Sequence, residues 1–181
     1  DEKRAALRKG AARYFAAHGF DRASMTGVAK SCGVSKALIY HYWPSKEELL
    51  FDILDDHLGA LLDVVQGAQT GGMRALIAAL LAAYADADAE HKLQLDALGV
   101  LPPDRQAPLI AHQRQLVALM SGAVAQLAPS LPPDRLRAAT MTVFGILNWF
   151  YMWHRPGKGL SRDDYAQLAG DFVIAGIKGI A

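Results

Sequence analysis

The chain has 181 residues, of which 52% are hydrophobic and 20% are charged. This composition is too apolar for a disordered protein. Its longest apolar stretches, 75–85 and 141–153, are shorter than the roughly 20 residues that a membrane-spanning helix requires, so we expect no membrane partner. The single cysteine, Cys32, excludes an internal disulfide and is typical of a reducing compartment, which predicts a cytoplasmic protein.

The net charge of +1 conceals an uneven distribution of charged residues along the chain. Residues 1–46 contain nine lysines and arginines against three acidic residues, so this segment carries +6 and leaves −5 for the rest. A basic segment attached to an acidic body is typical of a protein that docks one end onto phosphates.

The first three predicted helices are short and closely spaced. Helical periodicity predicts an amphipathic helix over 2–18, a second helix that ends near residue 32, and a third over 36–42. Gly33 supplies a tight turn between the second and third helices. Three short helices, the last two joined by a glycine turn, have the architecture of a helix-turn-helix unit.

Serines and threonines mark where several of these helices begin. Ser24 and Thr26 are alternative caps for the second helix, and Ser35 is expected to cap the third. Ser45 and Glu48 have the spacing of a capping box at the start of a fourth helix.

The rest of the chain also has helical periodicity. No segment shows the sustained alternation of a β-strand, so we predict an all-α fold of about nine helices. The further helices are expected at about 45–65, 73–87, 91–98, 105–128, 133–154 and 161–180.

Spaced residues over 8–54 carry a family resemblance. They are Arg8-Lys9-Gly10-Ala11-Ala12-Arg13-Tyr14-Phe15, Gly19-Phe20, Ser24-Met25-Thr26, Val28-Ala29, Gly33-Val34-Ser35-Lys36, Leu38-Ile39-Tyr40-His41-Tyr42-Trp43 and Ser45-Lys46-Glu47-Glu48-Leu49. Together they closely resemble the DNA-binding signature of the TetR family of transcriptional regulators. The departures are Ala37 where the family often has Gly, Trp43 where it often has Phe, and Gly27 where a larger apolar residue is usual.

The third helix is predicted to be the recognition helix. Leu38 and Ile39 are suited to its rear face, while its front carries side chains that reach bases or phosphates. The resemblance implies that Tyr40, Tyr42 and Lys46 contact phosphates and that Lys36 and His41 contact bases. The predicted DNA-binding residues are Thr26, Ser35, Lys36, Tyr40, His41, Tyr42 and Lys46. The alternative is that the tyrosines only pack and that the lysines form a solvated surface.

The resemblance also implies a domain organisation and a mode of action. It predicts a helix-turn-helix DNA-binding domain at 1–46 and a helical ligand-binding and dimerisation domain at 47–181. The regulator would bind a palindromic operator of double-stranded DNA as a homodimer and leave it when a small-molecule inducer binds. Repression is the family's commoner mode, and activation is the alternative.

The homodimer is expected to form through the last two helices. Residues 136–153 carry apolar side chains on two sides of one helix, so both sides must be buried. Small and apolar residues recur over 168–176 of the final helix. A four-helix bundle with a symmetry mate would cover these surfaces.

The run 148–157 resembles one found in TetR-type regulators that sense acyl-CoA thioesters or related fatty or aromatic acids. The candidate ligand-binding residues are His112, Arg114, Asn148, Trp149 and Trp153. The two tryptophans would wall a pocket and the other three would hold polar groups. The alternative is an aromatic core stripe followed by a loop.

Other functional classes find little support. The chain lacks the sequence motifs of nucleophilic hydrolases, zinc proteases and nucleotide-binding proteins, so we expect neither an enzyme nor a catalytic residue. The histidines lie on separate segments and only one cysteine is present, so no metal or other cofactor is expected. A helical adaptor that binds only protein is the remaining alternative.

Overall fold

A computed structural model of the chain describes residues 2–155 and 157–181. Asp1, which belongs to the predicted DNA-binding domain, and Pro156, in the predicted loop before the last helix, lie outside these described residues. Within them the chain forms ten α-helices and three 3-10 turns and no β-strand, which confirms the predicted all-α fold class.

The helices follow the chain with short connections. The α-helices are α1 (Glu2–His18), α2 (Met25–Ser31), α3 (Lys36–Tyr42), α4 (Lys46–Ala68), α5 (Gly72–Ala83), α6 (Asp88–Asp96), α7 (Pro103–Leu127), α8 (Pro133–Asn148), α9 (Phe150–Trp153) and α10 (Arg162–Gly179). The 3-10 turns are Gln69–Gly71, Tyr84–Asp86 and Leu98–Val100.

Two predicted helices end earlier than their periodicity indicates. The helix expected over 133–154 is divided at Trp149, where the N–H of Met152 donates to the Trp149 carbonyl at 3.1 Å. The fifth helix, expected to reach residue 87, ends at Ala83 and tightens into the 3-10 turn Tyr84–Asp86. Bonds between residues three apart satisfy the last carbonyls of a helix, and hydrophobic periodicity does not report them.

The chain forms two compact units. The first unit contains Asp1–Gly59 and Ala87–Ala111, and the second contains Ala60–Asp86 and His112–Ala181. Helices α4 and α7 each contribute residues to both units. The division at residues 46 and 47 that the sequence suggests, which separates a DNA-binding domain from a ligand-binding domain, stays a prediction.

Side chains of α1, α2, α4 and α6 contribute to the core of the first unit. Helix α1 packs against α2 and α6 and buries Leu7 and Phe15. Two histidines are also buried, His57 on α4 and His91 on α6, with their ring centroids 6.1 Å apart.

The core of the second unit forms where α5 packs against α8 and α10. Helix α8 buries one of its two apolar stripes, including Val143 and Leu147, and leaves Thr142 of the other stripe exposed. Helix α10 buries Val173, while its Phe172 is 69% exposed. Among the described residues, no helix combines the length and apolarity needed to cross a membrane.

Candidate nucleic-acid interface

Side-chain caps and one glycine fix the turn between α2 and α3. The hydroxyl of Ser24 accepts the N–H of Gly27 at 3.1 Å, so Ser24 rather than Thr26 caps α2. The hydroxyl of Ser35 accepts the N–H of Leu38 at 3.2 Å and caps α3. Between them Gly33 has a φ of 66°, a left-handed conformation that side-chain-bearing residues rarely adopt.

Helix α3 has an apolar rear and a polar front. Ile39 is fully buried, whereas Lys36, Tyr40 and His41 are exposed and Tyr42 is half-buried. The Lys36 ammonium lies 5.5 Å from the centroid of the Tyr40 ring, and the His41 and Tyr42 rings meet edge to face at 5.2 Å. The structure therefore brings these four predicted DNA-binding side chains together on one short helix.

The other predicted DNA-binding residues have different surroundings. Thr26 is exposed in the first turn of α2. Lys46, at the start of α4, is half-buried, and its ammonium donates to the carbonyl oxygens of Phe20, Asp21 and Ala23 at 3.1, 3.2 and 3.5 Å. The ammonium also lies 4.6 Å from the centroid of the Phe20 ring. Lys46 thus ties the turn after α1 to α4, and its phosphate contact stays a prediction.

Sequence reasoning missed a charged cluster behind the recognition helix. One carboxylate oxygen of Asp52 accepts the indole N–H of Trp43 at 3.0 Å, and the other accepts the Arg4 guanidinium at 2.9 Å. Arg8 pairs with Asp56 at 2.5 Å. A signal was present, because Arg4 and Arg8 are four residues apart on α1, as are Asp52 and Asp56 on α4.

Gly27, which departs from the family signature, packs directly against the Tyr14 side chain. A Cβ atom on Gly27 would overlap the hydroxyl group of Tyr14, which reaches across from α1. The Tyr14 ring is held there by stacking on His18, with the centroids 4.3 Å apart. Tyr14 therefore occupies the space that a larger residue at position 27 would need.

The predicted ligand-binding residues are spread over the second unit. Asn148 accepts the Tyr84 hydroxyl through its amide oxygen at 3.1 Å. Trp153 packs edge to face with Phe150 and Tyr165, each at 5.2 Å. Trp149 is 62% exposed.

The remaining two lie on α7. His112 is half-buried and Arg114 is exposed. Three cavities of the second unit, of about 480, 380 and 210 Å³, are lined by other residues than these five. The ligand-binding role of all five stays a prediction.

The titratable side chains give no metal-ligand cluster in the part of the chain that the structure describes. Within it, no group of three or more histidine, cysteine, aspartate or glutamate side chains is arranged to hold a metal ion. Burial raises the pKa of the Cys32 thiol, and burial also raises the pKa of the Tyr84 hydroxyl well above its usual range.

Both parts of the sequence match family models. Residues 7–53 match "Bacterial regulatory proteins, tetR family", and residues 68–177 match "Tetracyclin repressor-like, C-terminal domain". No curated protein sequence matches the chain.

Solved structures are similar over nearly the whole chain. A TetR-family transcriptional regulator from Bordetella parapertussis 12822 is 30% identical, with a TM-score of 0.90 over 96% of this chain and 94% of its own. KstR2, a ketosteroid transcriptional regulator of Mycobacterium tuberculosis, is 20% identical, with a TM-score of 0.85 over 96% and 94%. AibR, solved with isovaleryl coenzyme A and operator DNA, is 22% identical, with a TM-score of 0.78 over 95% and 96%. The last two likenesses concern the fold alone.

Proposed function

We propose that this chain, which belongs to the TetR family of bacterial regulatory proteins, is a repressor that binds a palindromic operator as a dimer and leaves it when a small molecule binds. The observation that carries the proposal is the surface of α3. There Ile39 is buried while Lys36, Tyr40 and His41 are exposed. Side chains with hydrogen-bonding groups, presented on a helix that is anchored from behind, are what groove recognition requires.

The contacts with DNA are proposed in two classes. Lys36 and His41 would reach base edges in the major groove, and Tyr40 and Tyr42 would bind phosphates beside them. Thr26 and the capped N-terminus of α3 at Ser35 would face the backbone, where orphan helix N–H groups attract phosphate oxygens. The excess positive charge of residues 1–46 would favour this orientation.

A homodimer is proposed through α8 and α10. Met141 on α8 is 51% exposed, and Leu168 and Phe172 on α10 are 54% and 69% exposed. Between these helices lies a groove of about 210 Å³ whose lining is mainly apolar and includes Ile146 and Gly176. A second copy that places the same face here would bury these side chains in a two-fold four-helix bundle. It would also set the two recognition helices roughly 34 Å or somewhat more apart.

The inducer is proposed to be an acyl-CoA thioester or a related fatty or aromatic acid. AibR, which shares the fold, was solved with isovaleryl coenzyme A, and the run 148–157 resembles that of acyl-CoA sensors. His112, Arg114, Asn148, Trp149 and Trp153 remain the proposed ligand residues. A ligand that favours a different head spacing would shift the dimer away from its DNA-competent state, and α4, which belongs to both units, is the proposed carrier of that shift.

DNA binding is tested by titrating fluorescent promoter DNA from upstream of the protein's own gene at several salt concentrations. We expect the logarithm of the affinity to fall linearly with the logarithm of salt concentration, with preference for one palindromic site. Binding that ignores salt would contradict a phosphate-docking head. Complete absence of DNA binding would favour the alternative, a helical adaptor that binds only protein.

The inducer class is tested by thermal-shift screening of free acids and their CoA thioesters, followed by release of the bound operator. Only a ligand of the folded state raises the melting temperature in a concentration-dependent way. Stabilisation accompanied by tighter operator binding would contradict release of the operator by the ligand.

A cytoplasmic location is part of the same proposal, since the operator lies on the chromosome.

A further inference from the structure

The recognition helix is held by few buried side chains. Helix α3 has seven residues, so its tilt depends on the anchors at its middle and at its end. Ile39 anchors the middle and is fully buried. Trp43 follows the last residue of the helix, is 2% exposed, and donates its backbone N–H to the Ile39 carbonyl at 3.0 Å.

Trp43 differs from Ile39 because it also makes a directional contact. Its indole N–H donates to Asp52 on α4 at 3.0 Å, in a partly buried setting. An apolar contact tolerates sliding, whereas a hydrogen bond to a carboxylate is strong only over a narrow range of distance and angle. This bond therefore specifies where the end of α3 lies along α4.

The acceptor is itself held in place from α1. The second carboxylate oxygen of Asp52 accepts the Arg4 guanidinium at 2.9 Å, and the Arg4 guanidinium lies 5.8 Å from the centroid of the Trp43 ring. Arg8 approaches the oxygen that Trp43 uses, at 3.7 Å, and pairs with Asp56 one turn later. Two arginines from α1 thus orient the carboxylate that receives the indole.

We propose that Trp43 is a positioning residue for operator recognition, which acts through its hydrogen bond to Asp52 and the Arg4 and Arg8 brace. The inference rests on the proposed function, since it concerns how α3 is presented to DNA. Trp43 is 2% exposed, so it would act without contacting a base itself. It sets the angle at which Lys36 and His41 meet the groove, so that sequence discrimination depends on a group behind the helix.

Trp43→Phe tests the proposal because phenylalanine keeps an aromatic ring in the core and removes the donor, together with one of the two rings of the indole. We expect the affinity for the operator to fall roughly tenfold while the affinity for unrelated DNA at low salt stays unchanged. The salt dependence of non-specific binding and the dimer dissociation constant should also be unchanged. A role in stability alone would lower the folded fraction and reduce specific and non-specific binding together.

A double-mutant cycle separates this bond from other effects of the substitution. Asp52→Ala removes the acceptor, and Asp63→Ala, at an exposed position of the same helix, is the matched control. The quantity measured is the ratio of specific to non-specific DNA affinity. The double variant Trp43→Phe/Asp52→Ala should lose less of this ratio than the product of the two single losses. In Trp43→Phe/Asp63→Ala the two single effects should simply multiply. Circular dichroism establishes first that each variant is folded at the temperature used.

The outcomes distinguish the two proposals. If the wild-type protein shows no preferred DNA site, the proposed function fails. If the wild type discriminates its operator and Trp43→Phe discriminates equally well, the positioning role of Trp43 is wrong while the function stands. Additive losses in the cycle would also overturn it, because Trp43 and Asp52 would then act independently.

Discussion

The two units expose side chains of different chemistry. On α3 of the first unit, Lys36 and His41 are exposed and carry hydrogen-bonding groups. On α8 and α10 of the second unit, the exposed side chains include Met141, Leu168 and Phe172, which carry no such group. Polar groups on a braced helix suit a partner with an ordered pattern of donors and acceptors, such as DNA. Large apolar side chains that are left exposed suit a protein surface. The exposed face of α3 therefore suits the proposed DNA partner, and the exposed faces of α8 and α10 suit the proposed second copy of the chain.

The interiors of the two units also differ. The first unit buries an ionisable pair, His57 and His91, whereas the buried polar side chains of the second unit include Thr140 and Tyr84, which stay neutral at physiological pH. Acid should therefore act on the first unit through its core. Surface substitutions therefore test the exposed faces of the two units, and a change of pH tests their interiors.

The largest expected effect comes from a charge on the apolar face of the second unit. Phe172→Glu would place an unpaired carboxylate in the proposed dimer interface, at a cost of about 4 kcal/mol, or roughly a thousandfold in the dimer dissociation constant. Analytical ultracentrifugation should find monomers that keep their helical content. Gln167→Glu, exposed on the same helix, is the control and should stay dimeric. A dimeric Phe172→Glu protein would mean that this face is not the interface.

The second effect is loss of stability in acid. Burial lowers the pKa of His57 from its usual 6.5 to about 4, and the charge of His91 lowers it further, whereas a hydrogen bond that the ring donates to the Gln94 side chain acts in the opposite direction. The unfolded chain therefore binds a proton more readily than the folded one. The stabilisation is complete above pH 6.5 and is lost as the pH falls to about 4, by on the order of 3 kcal/mol.

Urea unfolding at pH 7.5, 5.5 and 4 measures this effect. His57→Gln cannot titrate and should lose less stability over that range than the wild type, and His41→Gln, at an exposed position of α3, is the matched control for the substitution itself. Burial raises the pKa of Glu90 on α6, which makes its own contribution opposite in sign, so the difference between variants isolates His57. Equal pH dependence in His57→Gln and wild type would contradict the assignment.

The third effect concerns the polar face of α3. Tyr40 is 43% exposed, so Tyr40→Ala should weaken operator binding roughly tenfold without loss of dimerisation, and Tyr40→Phe should weaken it less. Fluorescence anisotropy with operator DNA measures both. Leu95→Ala truncates a side chain that is 49% exposed elsewhere in the first unit and should bind as the wild type does. Loss of folding in Tyr40→Ala would mean that Tyr40 mainly packs.

Local signals made much of the fold predictable. The caps at Ser24, Ser35 and Ser45 depend on residues three positions away, and the glycine turn at Gly33 depends on one residue. Helical periodicity likewise anticipated that α8 has two apolar sides. It could not show which side its own unit covers, because that depends on distant helices.

The site was less predictable, because side chains choose partners across long stretches of sequence. Trp43 and Asp52 are nine residues apart, and Arg4 reaches Asp52 from 48 residues away. The predicted ligand residue Asn148 is held by Tyr84, 64 residues earlier. A motif assigns a residue type to a role, but the contacts of that residue are settled by the tertiary structure.

The smallest expected effect concerns Lys46. The family signature implies that this residue contacts a phosphate, whereas the structure shows it bonded to backbone carbonyl oxygens. Its ammonium donates to three carbonyl oxygens, so Lys46→Gln should lower the free energy of unfolding by about 1 kcal/mol. Lys36→Gln, the same substitution at an exposed position, should weaken operator binding without loss of stability. If Lys46→Gln instead reduces the slope of log affinity against log salt by about 0.9 at constant stability, Lys46 holds a phosphate as the family signature implies. The first result would assign Lys46 to the frame that holds the turn after α1 against α4, alongside Trp43 and Asp52 behind α3.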